Sequence, residues 1–169
     1  MKRYILFFML SITCVYAMQS PYTTLEMLNK QQKLDRKITK DSKKMITLQL
    51  NNISLTTLDG LSRVIPRNLW HTIIKIDLSG NKLTQIHPEL LEMSSKALLL
   101  DSINLSNNMI TSLPPTFLKN APNLTTVLCI NNQIESVADD FLLDTPELIA
   151  LDMSFNRLKS LPAGFLSKN

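Results

Sequence analysis

Few side chains in this 169-residue chain have the type and spacing to do chemistry, and most of those fail on spacing. His71 and His87 stand on either side of a short apolar segment, and neither has a Ser, Cys or acid at a catalytic interval. Asp139, Asp140, Asp144 and Glu147 cluster around Phe141, Leu142 and Leu143. A calcium loop needs alternating oxygen ligands about a glycine turn, and that pattern is missing. The chain has no G-x-x-x-x-G-K-[ST], no C-x-x-C and no H-E-x-x-H. Cys129 falls at an apolar position and reads as a small buried hydrophobe. No catalytic residue, metal site or cofactor is expected.

Asparagine carries the remaining chemistry, in two forms. Asn52-Ile53-Ser54, Asn104-Leu105-Ser106 and Asn123-Leu124-Thr125 are acceptor sequences for N-linked sugar in a secreted chain. Asn123, in a turn before a predicted strand, is the best placed of the three. Asn81, Asn108, Asn132 and Asn156 instead recur at intervals of 27, 24 and 24 residues. A buried asparagine has two amide hydrogens and a carbonyl to satisfy, so such a column predicts a hydrogen-bonded ladder through the core.

The elements that hold this ladder are five copies of one frame, L-x-x-L-x-L-x-x-N-x-L-x-x-L, starting at Met45, Ile73, Leu100, Leu124 and Leu148. All 25 apolar positions of the frame are apolar. Only the first copy loses the asparagine, to Ile53. Positions 4 and 6 alternate as a short strand and position 9 bends the chain away from it. Further on, Phe117, Phe141 and Phe165, with Leu90 in the second copy, form another apolar column. Each coil buries little alone, and stacking makes the core continuous.

The frame, its asparagine and the L-P-x-x-x-F tails at Leu113-Pro114 to Phe117 and Leu161-Pro162 to Phe165 resemble the leucine-rich repeat family. The 24-residue spacing resembles its "typical" extracellular subclass, found in Toll-like receptor ectodomains and small secreted proteins. The resemblance implies an α/β fold: a right-handed β–α solenoid with a concave parallel β-sheet. It also implies protein–protein recognition rather than catalysis, with a role in innate immunity or cell-surface signalling. Inhibition of a secreted enzyme, and a part in extracellular matrix or adhesion, are the alternatives. The repeats span 45–72, 73–99, 100–123, 124–147 and 148–169. Extracellular members often carry cysteine-rich caps, and none occurs here. The frame stops three residues short of a sixth coil, so a partner, a second copy or further chain is expected to cover that end.

Strand residues pointing away from the core are the binding candidates. Lys75, Asp77 and Asp152 are polar, whereas Leu128, Ile130, Ile149 and Phe155 are expected to gather one exposed apolar patch near the C-terminal end. A contiguous apolar patch usually marks an interface.

Residues 1–17 read as a secretory signal: Lys2 and Arg3, an uncharged run of about 12 residues, then Val15-Tyr16-Ala17. The run is shorter than the roughly 20 residues that cross a bilayer, so no transmembrane segment remains after its removal. Residues 18–44 form a basic flank. Thr23 and Glu26 suggest a capping box for a helix reaching Lys37. The cluster Lys30, Lys33, Arg36, Lys37, Lys40, Lys43 and Lys44 reads as a solvated face. The first 44 residues hold nine basic and three acidic side chains, so the net charge of +4 belongs to the flank. A nucleic-acid-binding fold would spread its cations over the folded surface, and none is expected here.

Overall fold

The computed structural model describes residues 38–40, 45–65, 67–119, 121–143 and 145–166. The signal sequence, the helix expected up to Lys37, the flanking basic residues other than Lys40, and Asp144 lie outside them.

Each copy of the frame contributes one short strand: β2 (Ile46–Gln49), β3 (Ile73–Asp77), β4 (Ser102–Asn104), β6 (Thr126–Leu128) and β8 (Ala150–Asp152). They pair in parallel, in chain order, within one sheet. Parallel neighbours require a crossover, and the remainder of each coil supplies it. The crossovers scale with repeat length. The 28-residue first coil holds α1 (Leu61–Val64) and a 3₁₀ turn, Arg67–Thr72. The 27-residue second holds α2 (Pro88–Lys96). The 24-residue coils cross in turns, aided by β5 (Ser112–Leu113) and β7 (Ser136–Val137), which pair in parallel as a second small sheet. A surplus of three or four residues is one helical turn, which matches the difference. The architecture is a parallel β-sheet with interleaved short helices and turns, consistent with the solenoid that the repeat frame implies.

Frame positions pointing inward are sealed. Leu48, Leu50, Leu55, Leu58, Ile76, Leu78, Ile103, Leu105, Val127 and Cys129 are at most 2% exposed. Phe117, Phe141 and Phe165 stack with centroid separations of 6.4 and 6.5 Å, nearly coplanar. Helix α2 begins at His87, whose Nδ1 accepts from the Glu89 amide at 3.2 Å, and Pro88 follows at its first position. That leaves Nε2 as the donor to Asp59. Trp70 is buried with its indole N–H on the Ile65 carbonyl, and Arg67 and Lys96 each approach its ring to 5.7 Å.

The two ends differ. At the first coil, β1 (Ile38–Lys40) pairs antiparallel with β2 and covers the sheet edge. This strand lies in a flank expected only to cap by a helix. Its signal is weak, because a three-residue edge strand has no periodicity to read. At the other end the frame positions of the fifth coil lose their cover: Leu148, Leu151, Met153 and Leu158 are half-buried and Leu161 is 51% exposed. Apolar type at these positions therefore does not ensure burial, since burial comes from the next coil.

Candidate functional site: the concave sheet and its rim

The ladder that sets the sheet's outer face is built from the four asparagines. Asn132 donates to the carbonyls of Leu105 and Cys129, at 3.0 and 3.2 Å, and accepts from the Ile110 amide at 3.0 Å. Asn108 repeats the pattern on Leu78, Leu105 and Leu83. So does Asn156 on Cys129, Met153 and Ile134. Asn81 accepts from both Ile53 and Leu55 and donates to Leu50 and Leu78, joining the first coil, where Ile53 takes the place of the ladder asparagine. Each side chain joins its own bend to the previous coil and fixes the strand register.

Outer-facing residues then fall into rows. One row runs Gln49, Asp77, Asn104, Leu128, Asp152, and the adjacent one Thr47, Lys75, Ser102, Thr126, Ala150. The members of these rows from the first four coils line a shallow groove of about 380 Å³ that reaches from Thr47 to Leu128 and includes Asp101. Lys75 is exposed and lies 3.9 Å from Asp101, whose other carboxylate oxygen accepts from the Thr125 hydroxyl. Asp101 precedes β4 at the second frame position, and sequence reading passed over it because that position varies freely between copies.

Three coils end their strand in the same local turn. Asp77, Asn104 and Asp152 each accept a hydrogen bond from the backbone amide two residues on, at Ser79, Ser106 and Ser154. This is the Asx turn expected of such residues. The Ser154 amide holds the Asp152 carboxyl below its ordinary pKa. The fourth coil replaces both turn residues with apolar ones, Leu128 and Ile130. The Ile130 amide consequently turns sideways to the Ser106 hydroxyl at 3.2 Å.

A second column lies just beyond, on the rim. Asn52, Gly80, Asn107, Asn131 and Phe155 all have positive φ, between 53° and 66°. Glycine and asparagine take this conformation at low cost, whereas a bulky side chain does not. Asn131 donates to Asn107 along this column, and Phe155 ends it, 80% exposed. Leu118 and Leu142 also have positive φ but are fully buried, so packing offsets their strain. Phe155 has no such offset.

The four residues of the expected apolar patch differ in exposure and place. Leu128 sits in register between Asn104 and Asp152, and both it and Ile130 are half-buried. Ile149 is 85% exposed, but at the opposite end of β8 from Phe155. Five residues, β8 among them, separate the two. In the frame, positions 2 and 8 bracket the strand. Lys75, Asp77 and Asp152 do lie on the outer face of the sheet.

Of the sugar-acceptor asparagines, Asn52 and Asn123 are exposed. The side-chain oxygen of Asn52 rests against Gly80, where any side chain would displace it. Asn104 is half-buried in its Asx turn, and its partner Ser106 is 5% exposed. Cys129 is fully buried, and desolvation pushes its thiol pKa up to about 12. Among the described residues no three His, Cys, Asp or Glu side chains group to hold a metal ion, and no helix is long and apolar enough to cross a membrane.

The family model described as Leucine Rich Repeat matches residues 72–93 and 99–121. No curated protein matches the chain.

Proposed function

We propose, on the leucine-rich repeat matches and the repeat frame that runs beyond them, that the chain is a secreted recognition module holding a protein partner on the outer face of its sheet and its C-terminal rim. Members of this family are usually non-catalytic binding modules, and repeats of this kind imply protein partners.

The observation that carries the reading is the change in the last two coils. Leu128 and Ile130 forgo a local turn that three other coils make, and they gain no full burial in exchange. Phe155 accepts left-handed backbone and near-complete exposure where its neighbours have Asn or Gly. The strain at Phe155 is kept without an internal return, which points to a use outside the fold. A partner crossing the groove from Lys75 toward Phe155 meets polar side chains first and apolar ones last. Secretion rests on the N-terminal pattern Lys2, Arg3, apolar run and Ala17.

The test is capture of a partner by tagged protein collected from the medium of expressing cells. The pair Leu128→Ser and Ile130→Ser should lose the partner while unfolding at nearly the parental temperature. Capture that survives both substitutions would contradict the reading.

A further inference from the structure

Three successive coils enter their strands through equivalent turns. Leu100 N–H bonds Ala97 O at 2.9 Å, Leu124 N–H bonds Ala121 O at 3.1 Å, and Leu148 N–H bonds Thr145 O at 3.2 Å. The central residues are Leu98-Leu99, Pro122-Asn123 and Pro146-Glu147. Proline and polar residues suit an exposed turn. Leu98 and Leu99 do not, yet they are 54% and 40% exposed. Asn123 occupies the same turn position as Leu99, one coil away, about 4.8 Å along the stack. It is exposed, and its Nδ2 donates to the Leu98 carbonyl at 2.8 Å. The side chain therefore already leans toward the leucine turn.

We propose that Asn123 carries an N-linked oligosaccharide whose first sugars cover Leu98 and Leu99. The proposal rests on the secretory reading above. The transfer uses an oligosaccharide carried on a polyprenyl diphosphate, the donor of secretory compartments. The bond from sugar C1 to the diphosphate oxygen breaks and the diphosphate leaves with the electron pair. A C1–Nδ2 bond forms, and Nδ2 loses one proton. The second amide hydrogen stays, so the bond to Leu98 O can persist and keep the sugar over the turn. In the folded chain the Thr125 hydroxyl of the acceptor sequence is engaged by Asp101. Transfer thus precedes docking of the fourth coil on the third. The other acceptors lack this match. Asn104 and Ser106 are tied into the sheet, and the exposed large apolar residues of the described chain do not include one from the coil of Asn52.

The experiment expresses the full chain in mammalian cells and maps peptides of the secreted protein by mass, before and after enzymatic sugar removal. Binding of an apolar fluorescent dye is read on the same material. The expected result is loss of residues 1–17, sugar on Asn123 and weak dye binding. Dye binding should rise in Asn123→Gln and fall again when Leu98→Ser and Leu99→Ser are added. A chain that has lost its signal but is unmodified at Asn123 overturns this proposal alone. A chain that keeps Met1 and carries no sugar overturns the secretory reading with it. Sugar on Asn123 with unchanged dye binding in Asn123→Gln overturns the covering role.

Discussion

Asn132 and Asn156 hold the same frame position, but replacing them should not cost the same. Asn132→Leu strands the Ile110 amide in a site where Asn132 is only 7% exposed, whereas the Leu105 and Cys129 carbonyls keep their bonds from Asn108 and Asn156. Each buried group left unpaired costs about 1–3 kcal/mol. Asn156 is half-buried, so water replaces part of what is lost and the penalty should be smaller. Denaturant melts of the two variants check the order. Cys129 gives a second residue-level expectation. With its thiol pKa pushed up to about 12 by burial, it should resist thiol reagents near neutral pH until the chain unfolds. The unfolded thiol, at its ordinary value of 9.0, ionises first as pH rises, so the unfolded state binds fewer protons than the folded one. Stability should decline as pH rises from about 9 toward 12, and Cys129→Ala should remove that component of the decline. Phe155→Asn should act in two directions. It should relieve left-handed strain worth about 1 kcal/mol and raise the melting temperature, while weakening partner capture. A variant that loses both stability and capture would show that Phe155 supports the fold instead.

The strands and their register were legible because the frame fixes them. An alternating apolar pair followed by a bend has one way to face a core, and the asparagine marks the bend. The phenylalanine column was legible for the same reason, and Phe141→Ala, between two stacked rings, should cost about 3–5 kcal/mol. Phe165→Ala should cost less, because Phe165 is only half-buried. What the frame could not reveal was the relation between positions it leaves free. Ile149 and Phe155 are both apolar and close in sequence, yet the strand between them carries them apart. Asp101 and the sideways bond from Ile130 to Ser106 depend on which side chain the neighbouring coil supplies. A single repeat read alone contains no such information. Strand β1 escaped notice because edge pairing is decided by the partner, not by its own three residues.

At the scale of the molecule, β2 is paired on both sides by β1 and β3, whereas β8 pairs only β6 among the described residues, so protection should be graded along the sheet. Backbone amides of β8 should exchange with solvent faster than those of β4, which has a paired strand on both sides. Equal protection along the sheet would contradict this gradient. The proposed contact centres on Leu128, the apolar member of an otherwise polar row. The most direct test puts a photo-crosslinking residue at Leu128 on the concave sheet or at exposed Asp139, beyond β7 on the other side of the same coil. Both variants are illuminated in the medium of expressing cells. The account predicts one discrete adduct at Leu128 that is missing at Asp139. Adducts at Asp139 and none at Leu128 would contradict recognition by the concave sheet.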